Sequence, residues 1–353
     1  MYKTESFQIK IWLVSLMTII LLMIIVGGLT RLTESGLSMV DWKLFVGTIP
    51  PLSDGDWLKV FDDYKQYPEY QIKNVNMTLS EFKYIFWWEY GHRVLGRIIG
   101  IIFIVPFVVF ALKKYFSKEE LLSYLFLLFL GGSQGLIGWW MVKSGLDMNP
   151  YVSHIRLAVH LIIAQIILSF IAFLFIKRLS IGNYESKFSS HKSIFIFFNL
   201  IIFFTVIYGA FMAGLDAGKS FNTWPKMGDS YIPENLLFLD DRLFGFFDNS
   251  VFIHFFHRAL AYISLIAILY LGLMHLKGIS NKYQKLHLLL IISLVFIQLF
   301  IGVFVVLSNV QVSLGSIHQI IGTLLFVFTT CYLSLIHISE PTRLRRMWCG
   351  VVW

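Results

Sequence analysis

Eight runs of apolar residues decide what this chain can become. They lie at approximately 10–29, 90–112, 121–142, 154–176, 193–213, 251–276, 286–308 and 312–335. A bilayer core of about 30 Å is crossed by roughly 20 apolar residues in a helix, so each run is long enough to span. The expected fold class is an all-α polytopic membrane protein with eight transmembrane helices. Composition agrees, with 57% hydrophobic residues, 14% charged residues and a mean hydropathy of +0.72; soluble domains do not have this balance.

The basic residues orient the bundle. With the N-terminus in the cytoplasm, the inner segments carry Lys3, Lys10, Lys113, Lys114, Lys118, Lys177, Arg178, Lys187, Lys192, Lys277, Lys282 and Lys285. Only Glu5, Glu119, Glu120 and Glu185 oppose them there, and the long outer loops hold 16 acidic residues. Short Lys-rich inner loops follow the positive-inside rule. The net charge of +8 therefore reads as topology and not as nucleic-acid binding. The two cysteines, Cys331 and Cys349, form no redox motif and no outer-loop disulfide framework. The N-terminus resembles neither an organellar presequence nor a cleaved signal, which makes a bacterial inner membrane the simplest location.

The chain repeats itself. EYGHRVLGR (89–97) aligns with HFFHRALAY (254–262), which pairs His92-Arg93 with His257-Arg258. Gln134 follows His92 by 42 residues and Gln298 follows His257 by 41; each opens a Q-x-x-x-G and precedes a serine, Ser144 or Ser308, by ten residues. VHLIIA then carries His160, and IHQIIG carries His318. Upstream, the stretch from Trp42 to Pro51 has a partner from Trp224 to Pro233. Four spans per unit gives both copies one orientation, a parallel repeat about an axis near the membrane normal. The expected organisation is a four-helix bundle over 1–178, a second over 179–333, and a tail over 334–353.

Four histidines, His92, His160, His257 and His318, fall near the outer starts of the second, fourth, sixth and eighth spans. Ionisable side chains inside a bilayer are costly and ask for a function. Neutral imidazole is an axial ligand of haem iron, and a four-helix bundle can clamp a flat cofactor between two of them. A single histidine at a helix end is most often interfacial, but four at repeat-related positions point to ligation. The expected pockets pair His92 with His160 and His257 with His318.

Other residues weigh differently. Glu89 shares a helical face with His92 at i, i+3, where a carboxylate can act as a base or stabilise positive charge; the alternative is an interfacial acid. His254 holds the matching place in the second half. Arg93 and Arg258 could meet haem propionates or snorkel to the interface. Gln134 and Gln298 read as interhelical hydrogen-bonding residues. Trp42, Trp57, Trp87, Trp88, Trp139, Trp140 and Trp224 read as an aromatic belt. His154 is expected in a loop, and His191, His275 and His287 in solvent near the inner loops.

These motifs together resemble haem A synthase, in the form shared by alphaproteobacteria and mitochondria. The stretches that carry the likeness are GGLTRLTESGLSMVDWKLFVGTIPP (27–51), EFKYIFWWEYGHRVLGR (81–97), GLIGWWMVKSGL (135–146), RLAVHLIIA (156–164), FNTWPKMGDSYIP (221–233), the His257-Arg258 pair and IHQIIGTLL (317–325). Another branch of the family carries an outer-loop cysteine pair that is absent here. The resemblance implies oxidation of the C8 methyl of haem O to a formyl group, giving haem A for terminal oxidases. It implies that His92 and His160 sit near the iron of the substrate haem, with Glu89 near the reacting methyl. It also implies that His257 and His318 hold a permanent haem b for electron transfer. The residues alone leave open which pocket is which. Haem O synthase and an electron donor such as ferredoxin are implied as partners, membrane lipid surrounds the chain, and a homo-oligomer is allowed.

After Leu333 the chain reads SLIHISEPTRLRRMWCGVVW. The abrupt change from membrane-helix composition marks this tail as foreign, so His337, Arg343, Arg345, Arg346 and Cys349 enter no functional argument. Rival classes explain less. A di-haem b electron-transfer cytochrome shares the four histidines but gives no reason for Glu89. A transporter would favour broken helices or midplane charges, and a membrane thiol–disulfide enzyme would need cysteines.

Overall fold

A computed structural model describes residues 2–40, 46–147, 150–179, 192–237, 245–279 and 281–338. Trp42, His191 and the tail beyond Ile338 lie outside the described residues. Ten α-helices are described: α1 (Tyr2–Leu32), α2 (Asp54–Tyr64), α3 (Leu79–Leu112), α4 (Lys118–Lys143), α5 (His154–Arg178), α6 (Lys192–Gly214), α7 (Gly245–Asp248), α8 (Ser250–His275), α9 (Lys282–Leu307) and α10 (Val312–Ile338). All but α2 and α7 are long and apolar enough to cross a membrane, which gives eight candidate spans. The described residues contain no β-strand. The protein is an all-α polytopic membrane protein.

Helix starts are set by side-chain caps that satisfy the first free amides. Ser53 with Asp56, Thr78 with Glu81, and Ser117 with Glu120 each form a reciprocal capping box at α2, α3 and α4. Ser153, Asn249 and Asn281 cap α5, α8 and α9.

The Thr78 cap corrects one expectation. The second span was expected from residue 90, but α3 begins at Leu79, about three turns earlier. Glu89 is therefore well inside a helix and not at its outer end. The added turns are half-amphipathic: Phe82, Ile85 and Phe86 pack on Trp57, Phe61 and Tyr64 of α2. That contact, together with the cap, extends the helix out of the apolar run. Trp57 is consequently a buried core residue and not part of an interfacial belt.

Helix packing runs in matching order along the chain. α1 lies against α3 and α5, and α4 lies against α5; α6 lies against α8 and α10, and α9 lies against α10. Contacts between these groups are made by α1 with α10, α5 with α6, and α5 with α10. Each group has its own dense core near the short connections. One is built on Trp12, Leu13, Leu16, Phe107, Tyr124 and Ile171, and the other on Phe198, Ile268, Leu271, Leu288, Ile291 and Tyr332. Lipid is as apolar as leucine, so close packing and interhelical hydrogen bonds must hold such bundles. Gln165 of α5 donates to Thr323 of α10 at 3.2 Å, Gln319 of α10 to the Ile24 carbonyl of α1 at 3.0 Å, and Asn199 of α6 to Thr329 of α10 at 3.1 Å.

Three other histidines differ from expectation. His154 is the first residue of α5, buried and 3.5 Å from Asp248. His275 is buried at the end of α8 beside Phe195. His287 faces inward, with Nε2 3.0 Å from the Phe328 carbonyl. Helix packing at the short-loop end covers the last two where the sequence suggested solvent. Finally, α10 continues past Leu333 to Ile338, because the apolar run is not interrupted until Pro341 approaches.

Candidate functional site

The four repeat-related histidines sit at the end of the bundle opposite the two dense cores, and each rests on a glycine of a neighbouring helix. A Cβ placed on Gly27 of α1 would lie 3.0 Å from His92 Nε2, and one on Gly209 of α6 would lie 3.3 Å from His257 Cε1. A Cβ on Gly138 of α4 would lie 3.3 Å from His160 Cε1, and one on Gly302 of α9 would lie 2.9 Å from His318 Cε1. Any larger residue at these glycines would push the imidazole away. As residues all four are of intermediate burial, whereas His154, His254 and His275 are buried in the packing.

His257 and His318 face each other with ring centroids 6.3 Å apart at 73°. Two imidazoles this close could both reach one metal held between them. His257 Nδ1 lies 3.1 Å from the Thr205 carbonyl. A carbonyl only accepts, so the proton is on Nδ1 and the Nε2 lone pair is left for a ligand, the arrangement that orients metal-bound histidines. His318 Nε2 receives the Gln298 amide at 3.3 Å, while its buried Nδ1 has no partner. Gln134 donates to the His160 carbonyl at 3.1 Å, and the buried His160 Nδ1 has no partner. Both glutamines are interhelical hydrogen-bonding residues, as expected. Among the described residues no three His, Cys, Asp or Glu side chains converge as a bare-ion site. Pairs of imidazoles suit a metal that brings its own equatorial ligands, as haem does.

Glu89 is buried and multiply bound. Its Oε2 accepts from the Ser38 hydroxyl and the Met39 amide, both at 2.8 Å, and its Oε1 accepts from Arg93 at 2.6 Å. Arg93 also donates to the Met39 carbonyl at 2.7 Å. The i, i+4 ion pair therefore fastens the chain after α1 down onto α3. In the second half, Arg258 donates from Nε to His254 Nε2 at 2.9 Å, again at i, i+4, and reaches the Lys226 and Phe221 carbonyls at 3.2 and 3.3 Å. Both arginines bind segments outside the spans. Arg93 additionally lines a cleft of about 190 Å³ between α3 and α4, with Met39, Val40, Trp139, Val142, Lys143 and Leu146.

The sequence reading missed the glycine shelves at Gly27 and Gly209 and the Ser38–Met39 partners of Glu89. A faint signal existed in the small residues near the end of the first span of each half. It also missed Glu69, buried in the segment between α2 and α3, where it accepts from the Tyr64 hydroxyl at 2.9 Å while Asn74 donates to the same hydroxyl at 2.8 Å. Burial pushes the Glu69 carboxyl up to about 7, against the lowering pull of Tyr64 and Lys73. Asp216 is the opposite case: burial works to raise it, but Arg31 and Lys219 hold it below the usual carboxylate value.

Comparison with known proteins adds the family. The profile of COX15-CtaA, described as cytochrome oxidase assembly protein, matches residues 10–330. A Heme A synthase of Pelagibacter ubique is 39% identical over 93% of this chain and 95% of its own length. One of Flavobacterium johnsoniae is 38% identical over 91% of this chain and 95% of its own, and one of Bartonella henselae 36% identical over 94% and 92%. With coverage near complete on both sides, the chain belongs to the COX15-CtaA family of cytochrome oxidase assembly proteins.

Proposed function

We propose that this protein is a haem A synthase, a membrane oxidoreductase that converts the C8 methyl of haem O to a formyl group. The observation that carries the reading is the set of four repeat-related imidazoles on glycine shelves, one pair with ring centroids 6.3 Å apart. Two units divide the work: 1–178 takes the substrate haem and 179–333 a resident haem b. His257 and His318 would hold haem b, and His92 and His160 would hold haem O near its iron. The bound haems supply the redox chemistry.

This chain's own residues position and protonate. Thr205 keeps the His257 Nε2 lone pair directed at the site by holding Nδ1–H. Oxidising a methyl carbon releases protons and builds positive charge on carbon. Glu89, one turn from His92, offers a preorganised carboxylate for both, held in place by the Ser38 hydroxyl and the Met39 amide. Arg93 keeps Glu89 in place and stands at the cleft where a propionate would enter. Arg258 does the same beside His254, clamping the 221–226 segment over the second site. The N-terminus is cytoplasmic and both sites lie near the outer face of a bacterial inner membrane. Haem O synthase delivers the substrate, and a ferredoxin-like donor supplies electrons.

The test is haem analysis of cells that express the protein with haem O available. Extraction should give haem A, and the purified protein should show one low-spin b-type haem. Bound haem with no haem A formed would leave a di-haem electron-transfer cytochrome.

A further inference from the structure

The two sites are not isolated from one another. His318 is followed at once by Gln319 in α10, and the Gln319 amide donates to the Ile24 carbonyl of α1 at 3.0 Å. The same amide lies flat on Gly28, where any Cβ would collide with it. Gly28 is bonded to Gly27, the shelf that carries His92. One unbroken series of contacts therefore leads from a histidine of the second half to a histidine of the first. Below it, the Thr323 hydroxyl donates to the Gln319 carbonyl at 2.9 Å and accepts from Gln165 of α5, the helix that bears His160.

The repeat shows that the equivalent junction in the other copy is built without this contact. The residue after His160 is Leu161, and the one after Gly209 is Ala210. These two belong to a plain apolar cluster with Ala158 and Phe211. At one junction between the halves stand leucine and alanine; at the other stand glutamine and glycine, with a hydrogen bond into the backbone beneath His92. A half-buried polar contact in one copy only, where its twin packs well without it, asks for a role beyond packing.

We propose that Gln319 is a positioning residue that couples the two haem sites, fixing α10 on α1 at Gly27–Gly28 so that an electron passes from the second-half haem to the first-half haem. The haems that His257 with His318 and His92 with His160 would hold would supply the one-electron donor and the one-electron acceptor, and Gln319 would set the packing between their helices. The inference rests on the haem assignment proposed above. Physical contiguity is its warrant: both histidines touch, or adjoin a residue that touches, the same two glycines.

The experiment uses purified holoenzyme with haem b reduced and ferric haem O added, followed by stopped-flow absorbance. Gln319→Leu takes the residue of the other junction. Gln319→Met keeps the length but cannot donate to Ile24. Both variants should retain haem b content, spectrum and melting temperature, while re-oxidation of haem b slows by roughly tenfold, within the range a single coupling contact carries. Gly28→Ala, which displaces the amide, should slow it similarly. Unchanged re-oxidation in Gln319→Met overturns the proposal. A wild-type protein without b-type absorbance, or a His92→Ala protein that still re-oxidises haem b with added haem O at the normal rate, overturns the haem assignment instead.

Discussion

The first half of the chain fastens its outer segment with an ion pair, Glu89 and Arg93; the second does the same with a neutral imidazole and an arginine, His254 and Arg258. Spacing, helix position and backbone targets correspond, so one mechanical task is solved twice. What differs is the chemistry left beside the pocket. The first half keeps a carboxylate satisfied by three donors. His254 accepts from Arg258 at its ring nitrogen, which keeps the imidazole neutral, and offers the site no anion. The comparison separates what the fold requires from what a reaction would require.

The strongest challenge to that division is removal of the histidines. Loss of stably bound low-spin haem b is expected in His257→Ala or His318→Ala, read as b-type absorbance of the purified protein. His92→Ala and His160→Ala should abolish haem A formation yet keep most haem b. Equal haem loss from both pairs would end the division of labour.

Exchanging the strap residues is the next test. Glu89→Gln preserves shape and can still accept from Ser38 and Met39, but removes the charge. Conversion should fall by about a hundredfold, with haem O or a hydroxylated intermediate accumulating and haem b unchanged. Arg93→Met separates strap from chemistry. Breaking a buried pair costs about 3–5 kcal/mol, so the loop should loosen to protease in this variant. If Glu89→Gln lowers conversion only as far as Arg93→Met does, Glu89 is a strap residue alone.

A smaller contrast involves the two glutamines. Gln298 occupies a ring nitrogen of His318, whereas Gln134 touches only the His160 backbone. Gln298→Leu frees that lone pair by losing a hydrogen bond of about 1 kcal/mol, so haem b should bind the cofactor-free protein more tightly, by roughly fivefold. Gln134→Leu should give no such gain, and titration with haem followed by absorbance tells them apart.

The smallest effect lies in the segment between α2 and α3, whose buried acid has no counterpart among the described residues of the second half. Glu69 is raised from 4.5 to about 7 in the folded protein. A carboxyl whose folded value is raised contributes stability that is complete below the unfolded value and is lost as pH rises through the folded one. Packing of α2 on α3 should therefore weaken between pH 4.5 and 7, seen as faster proteolysis of the loop. Glu69→Gln should flatten that profile, and an unchanged profile would assign the pH dependence elsewhere.

Much of this was legible in the sequence because membrane spans announce themselves. All eight helices, the pairing of Gln134 and Gln298 with the following helix, and the placement of Glu89 on the face of His92 follow from hydropathy and spacing. The errors share a cause. Hydropathy reports where a helix enters an apolar medium, not where it begins; the Thr78 cap and the α2 contact that extend α3 are local and tertiary facts. His275 and His287 looked solvated for the same reason, since burial by neighbouring helices has no periodic signature. Glycine shelves escaped because a missing side chain matters only once the facing helix is known.

One contact between the halves has a consequence for how such a chain can diverge. Gln165 stands five residues after His160, and Thr323 stands five after His318; these two equivalent positions meet each other. In an isologous dimer of separate four-helix subunits, a residue at that point would face its own copy and would have to complement itself. Joining the subunits in one polypeptide lifts that demand, so a donor can face an acceptor on the axis and the two sides are free to become unlike.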